Sequence, residues 1–186
     1  MGIITRNNPV GIDAKIAAHQ SSMFTQLNLS GFAKNIDWDS YDRVYGNPTE
    51  DGRIIPEHFT GGKKYKDVLF NSKRLMTSFY WLDDDMPIDP SSGLIKANVS
   101  MIVQAQIGKM YSDDTQRYDE NLRMVFAENS KNFYGYDSFR LNSIKKGIDT
   151  VYKEFYRDEI TTTDMSDYHV FRLDYTVAYE PRNCAN

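Results

Sequence analysis

The segment Trp81-Leu82-Asp83-Asp84-Asp85-Met86-Pro87-Ile88-Asp89 puts four carboxylates within seven positions, between two apolar runs. Clustered carboxylates are the oxygen ligands of calcium and magnesium sites, and two metals held this way could activate water against a phosphodiester. A calcium loop of the EF-hand type needs oxygen ligands at alternate positions, glycine at the sixth and glutamate at the twelfth. Counted from Asp83 those two places hold Ile88 and Leu94; counted from Asp85 they hold Pro90 and Lys96. Both frames fail, and Pro87 stiffens the backbone where the loop would curl round an ion. A metal-dependent nucleic-acid-processing enzyme that uses the Asp83–Asp85 region with carboxylates from elsewhere is the alternative function. The favoured reading is a hairpin connection closed by Pro87, Pro90 and Ser92-Gly93.

Other residues with chemical potential lack the partners their chemistry requires. Gly61-Gly62-Lys63-Lys64 would need glycine where Glu57 stands and a hydroxyl residue where Lys64 stands to cradle a phosphate. His19, His58 and His169 are far apart and fall in no HExxH or HxH spacing, so each reads as a packing or surface residue. Cys184 is the single cysteine, which rules out an intrachain disulfide and a multi-cysteine metal cluster and favours a reducing compartment. No GxSxG or SxxK arrangement occurs. Lys63, Lys64, Lys66, Lys73 and Arg74, with Tyr65 and Phe70 among them, could touch a phosphate backbone, but Asp67 and the acidic tip share the region. Lysines also blunt the edge of a sheet. The expectation is a protein that is not an enzyme, with no catalytic residue, no metal and no cofactor.

The elements that would carry these residues follow from apolar spacing. Ile12, Ile16, Met23 and Leu27 share one face of a predicted helix, with Pro9 and Asp13 at its first turn. Residues 31–66 are dense in turn formers (Gly46-Asn47-Pro48, Asp51-Gly52, Pro56, Gly61-Gly62) interleaved with aromatics, which argues against a long helix or strand. That block reads as an extended arm or small hairpin that needs a surface to pack on. Residues 75–82 read as a buried strand. Residues 97–107 and 169–179 alternate as strands with one covered face, Ile102 being the exception. Between them two helices are predicted: one capped by Asp113 or Asp114 with Tyr118, Leu122, Val125 and Phe126 as its stripe, the other running from Leu141 through Ile144, Ile148, Val151 and Tyr152 to Phe155. The predicted fold class is α+β, a small antiparallel or mixed sheet packed with two to three helices plus a long extended arm. The expected organisation is one domain over residues 1–186: an N-terminal helix within 1–30, the arm at 31–70, the core at 71–180 and a tail at 181–186.

Composition sets outer bounds. The chain has 186 residues, 40% of them hydrophobic and 13% aromatic, too many ordering side chains for a disordered protein. The formal net charge of −4 gives no global field to hold nucleic acid or an anionic membrane. No stretch of about 18 apolar residues occurs, so neither a membrane span nor a signal peptide is expected. Gly2 with Thr5 comes near a myristoylation signal, which fails at Arg6.

Several stretches together, GIDAKIAAHQSSMFTQL, YDRVYGNPTEDGRIIPEHFTGGKKYKDVLF, SFYWLDDD and FRLDYTVAYE, resemble structural proteins of the neck of tailed bacteriophages. The likeness is to the ring or collar components of crAss-like gut phages, and more loosely to tail-terminator and head–tail connector families. It implies a virion protein, made in the host bacterial cytoplasm, that forms a homo-oligomeric ring, twelvefold or sixfold, between portal and tail. The genome would pass through it with transient contact during ejection, the other partners being portal, neck and tail proteins, with no membrane and no catalytic residue. On this reading residues 38–70 cross a subunit boundary, with Trp38, Tyr41, Tyr45, Phe59 and Tyr65 among the anchors. Asp83, Asp84, Asp85 and Asp89 would line the pore, where carboxylates repel DNA, or form a docking loop for the next ring.

Overall fold

The computed structural model describes residues 2–29, 36–52, 54–61, 64–71, 73–83, 87–111, 118–131, 139–155 and 168–180. In chain order the elements are β1 (Gly2–Ile4), α1 (Ile12–Leu29), β2 (Trp38–Pro48), β3 (Ile54–Gly61), β4 (Lys64–Asp67), β5 (Met76–Leu82), β6 (Ile95–Ala105), α2 (Ile107–Met110), α3 (Tyr118–Lys131), β7 (Phe139–Lys146), α4 (Ile148–Val151) and β8 (His169–Tyr179). The strands form one eight-stranded sheet in the order β4-β3-β2-β5-β6-β8-β7, with β1 added beside β2. β1 and β5 run parallel to β2 and the remaining neighbours are antiparallel, so the sheet is mixed. The α+β class holds.

Both faces of the sheet are covered. On the first face α1 and α3 enclose Trp38, Met76, Tyr80, Met101, Phe126 and Phe171, which are less than 1% exposed. On the second face Tyr41, Phe79, Ile102, Val151, Tyr152 and Phe155 form a separate core around α4. This corrects the one-faced reading of β6. Ile102, the residue that broke its alternation, points into the second core.

The block at 36–67 departs from the expected arm. β2 is an 11-residue strand, because the turn formers crowd after Gly46 and leave residues 38–45 free to extend. It pairs with β1 through Asp39–Tyr41 and with β3 through Val44–Pro48. Trp38 enters the first core and Tyr41 the second by ordinary alternation, and a bulge between Ser40 and Arg43 in the pairing with β5 shifts the register so that Val44, three residues on, shares the second core with Tyr41. A period-2 reading cannot follow a strand that changes face midway. Trp38 and Tyr41 are therefore core residues of this chain, 0% and 1% exposed, and not subunit anchors.

The second predicted helix is also corrected. Residues 139–146 form β7, which pairs with β8 from Phe139↔Val177 to Lys146↔Phe171. Gly147, with φ of +88°, ends the strand in a conformation that disfavours any side chain, and α4 then makes a single turn. The apolar positions 141, 144, 148, 151 and 155 mimic helical spacing across two different elements. What decides between them is the edge of β8, whose N–H and C=O groups β7 satisfies.

The three long runs read as strands form β5, β6 and β8, and the two N-terminal helical patterns form α1 and α3. The acidic tip is a hairpin connection: β5 and β6 pair antiparallel, Ile88 bridges Ile95, and the Lys96 N–H donates to the Pro87 carbonyl at 3.0 Å. Asp84 and Asp85 lie outside the described residues.

Candidate functional site

Beyond the end of the second core the same sheet face turns polar. Register places Asp83, the residue after β5, opposite Asn98 of β6, and the Asp83 N–H donates to the Asn98 carbonyl at 3.0 Å. Across β6 and β8, Ser100 stands opposite Asp174, and across β8 and β7, Ser143 opposite Asp174 and Lys145 opposite Arg172. Together with Asn142 and with Lys153 after α4, these residues line a cavity of about 250 Å³. Val99 and Tyr175 also border it, though their side chains belong to the first core.

Arg172 organises the cavity floor. It is 1% exposed, and a buried guanidinium requires counter-ions and full use of its donors. Its Nη1 donates to Glu154 after α4 and its Nε donates to Asp174 Oδ1 at 2.6 Å, two residues along the same strand face. Asp174 receives further bonds from Ser100 (2.8 Å), Ser143 (2.9 Å) and Lys145 (2.6 Å), so both its oxygens are engaged. Lys153 pairs with the other oxygen of Glu154 at 3.1 Å. Burial alone would raise the Asp174 pKa, but the bonds from Lys145, Arg172 and Ser100 outweigh it and hold the carboxyl below the usual range. Asp83 behaves oppositely: burial raises its pKa above the usual value, with Arg172 opposing and Glu154 adding to the rise.

The structure divides the acidic tip. Asp83 turns into the cavity, whereas Asp89 sits in the hairpin turn, bonded to Lys96 (2.6 Å) and to the Ser91 N–H (2.9 Å) and hydroxyl. Those bonds lower its pKa. The two carboxylates therefore have separate surroundings. Among the described residues no group of three or more His, Cys, Asp or Glu is placed to hold a metal ion.

The aromatic residues flagged in sequence also divide. Tyr45 is half-buried beneath two guanidiniums, Arg43 at 4.7 Å and Arg6 at 5.1 Å from its ring centre. Phe59 and Tyr65 face each other across β3 and β4 with centroids 5.4 Å apart, and Tyr65 is 48% exposed. All four residues of β4 are exposed, as are Gly46–Pro48 of β2 and Ile54 of β3. The histidines are internal ties: His58 Nε2 lies 2.6 Å from buried Asp42, His19 is in the first core, and His169 contacts Arg123 at 2.8 Å. Cys184 lies outside the described residues.

Sequence reasoning missed Arg172, Asp174, Glu154, Lys145 and Lys153 as a site. A signal was present in Arg172 and Asp174, opposite charges two apart on the polar side of a strand. Reading β7 and α4 as one helix separated Lys145 and Ser143 from their strand partner. Among the described residues no helix is long and apolar enough to cross a membrane. No protein-family model matches the chain, and no curated protein matches it.

Proposed function

We propose that the chain is a non-enzymatic structural subunit of a tailed-phage neck, forming a sixfold or twelvefold ring between portal and tail through which the genome passes. The observation that carries this reading is the ribbon β2–β3–β4 at one end of the sheet. Its β4 strand is a fully exposed edge, and it presents Ile54 and Tyr65, 42% and 48% exposed, with Phe59 packed against Tyr65. The opposite end of the sheet is a different edge, β7, whose Arg140, Asn142, Ile144 and Lys146 are exposed. Two unlike edges at opposite ends of one sheet are what a head-to-tail interface needs, since one surface meets another and rotation closes the ring. Tyrosine is the residue type that anchors such contacts with little entropy loss.

Mass in solution with negative-stain microscopy tests this, in the purified protein and after mixing with portal and tail proteins. Closed rings that Tyr65→Glu abolishes while the monomer keeps its melting temperature support the reading. A protein that stays monomeric with every virion partner, or rings indifferent to Tyr65 and to the β7 edge, would overturn it.

A further inference from the structure

The cavity beside Arg172 is balanced in charge. Asp83, Asp174 and Glu154 stand against Lys145, Lys153 and Arg172, and the cations are already bonded within this set: Lys145 to Asp174, Lys153 to Glu154, and Arg172 to both. Donors nonetheless remain, because an ammonium carries three N–H groups and each lysine meets a single carboxylate here. Acceptors remain as well. Asn142 donates its amide to Thr176 (2.8 Å) and keeps its carbonyl oxygen, and Asp83 is drawn by Arg172 and Lys153 against a burial that raises its pKa. Asn98, with both an amide donor and a carbonyl acceptor, is exposed at the rim. On the same strand face as Asp83, two residues before it and opposite Ser100, Trp81 is partly exposed beside the cavity. Trp38, the other tryptophan, is fully buried in the first core.

We propose that this cavity binds a saccharide, a neutral pyranose ring held by its hydroxyls, with Lys145 and Lys153 as donors, Asp83 and Asn142 as acceptors and Asn98 as both. A hydroxyl donates one hydrogen bond and accepts others, so neighbouring hydroxyls use the spare N–H groups and the spare lone pairs together without parting any ion pair. An ion of either sign would compete with the pairs already formed and leave a like charge beside it. An apolar ligand would strand them. The volume of about 250 Å³ equals about eight waters, room for one such ring. A second ring of a glycan chain, extending toward Trp81, would rest its C–H groups on the electron-rich face of the indole. The sugar is then either a free monosaccharide or one unit of a glycan. The site does not depend on the ring assembly, because the sugar is tested on the isolated chain.

Titration with D-glucose, D-galactose, D-mannose and N-acetyl-D-glucosamine, and with maltose, lactose and chitobiose, tests the proposal, with spermidine and phosphate as comparators. The readouts are the amide chemical shifts of Asp83, Asn98 and Lys145 and the tryptophan emission. Saturable shifts from one or more of the sugars are expected, weakened about tenfold by Asp83→Asn and by Lys153→Met, each of which removes a charged hydrogen-bond partner. The Lys153 side chain is 48% exposed, so its variant keeps the test valid if the first misfolds. Tighter binding of a disaccharide, with an emission change and a loss on Trp81→Ala confined to disaccharides, assigns the site to a glycan chain. Equal binding of monosaccharide and disaccharide, indifferent to Trp81, assigns it to the free sugar. No saturable shift from any of these sugars, stronger binding of spermidine or phosphate, or sugar binding indifferent to both Asp83→Asn and Lys153→Met would overturn the proposal.

Discussion

His19 Nδ1 lies 2.9 Å from the hydroxyl of Tyr80, inside the first core, and the imidazole stacks on Phe139 at 4.1 Å. Burial pushes the His19 pKa down to about 3. A depressed histidine pKa means that the unfolded chain takes up a proton near pH 6.5 that the folded chain refuses. Its stability contribution is full above that pH and is lost as pH falls toward 3. Between pH 7 and pH 5 the wild type should lose about 2 kcal/mol through this group. Denaturant unfolding of wild type and His19→Phe at both pH values checks this: the variant should lack that part of the slope, although stranding the Tyr80 hydroxyl lowers its stability throughout.

Replacing Arg172 should be severe. Arg172→Met removes the buried cation that Glu154 and Asp174 share and leaves each half-buried carboxylate with only a more exposed lysine, Lys153 or Lys145. Breaking one side of a buried charge network costs about 3–5 kcal/mol, readable as a shift in the urea midpoint. Lowering the pH should recover part of that loss, because protonation removes the stranded charge. A variant as stable as wild type at pH 7 would show that the lysines suffice.

Gly46 is fixed by contact. A Cβ at this position would stand 2.7 Å from Ile54 Cγ2 and 3.1 Å from the Trp81 ring. Gly46→Ala should therefore force the ribbon away from β5 and cost about 1–3 kcal/mol, with a change in Trp81 fluorescence as the local report. Gly52 carries a φ of +80° but meets nothing within 4 Å, so its alanine variant should cost about 1 kcal/mol from backbone strain and leave the fluorescence unchanged.

Ribbon substitutions should separate folding from assembly. Tyr65 touches Phe59 on a strand that is exposed along its length, so Tyr65→Ser should change stability by less than about 0.5 kcal/mol. Tyr41→Ser, by contrast, opens the second core, removes the hydroxyl that accepts from Lys66, and should unfold a substantial fraction of the chain. Circular dichroism melts beside mass measurements read both effects.

Much of the fold was legible because one physical rule governs each long element. α1 and α3 announce themselves by three-four spacing, and β6 and β8 by alternation, since each packs a single continuous stripe on the first core. The two misreadings arise where one segment serves two surfaces. β2 serves both cores and a bulge breaks its alternation between Tyr41 and Val44, and β7 with α4 splits a helix-like stripe at Gly147. The polar cavity was illegible for a related reason: its charges come from β7, β8 and the turn after α4, with Asp83 at the end of β5, and only strand register sets them side by side.

Local chemistry in the sequence thus determined the α+β class, the principal helices, the central strands and the failure of the acidic tip as a calcium loop. These follow from propensity and spacing within a few residues. Tertiary structure decided which strands are neighbours, that Trp38 and Tyr41 are core residues, and that Asp83 and Asp89 part company. Those outcomes depend on satisfying backbone groups and burying surface between segments distant in sequence, and no local pattern encodes that choice.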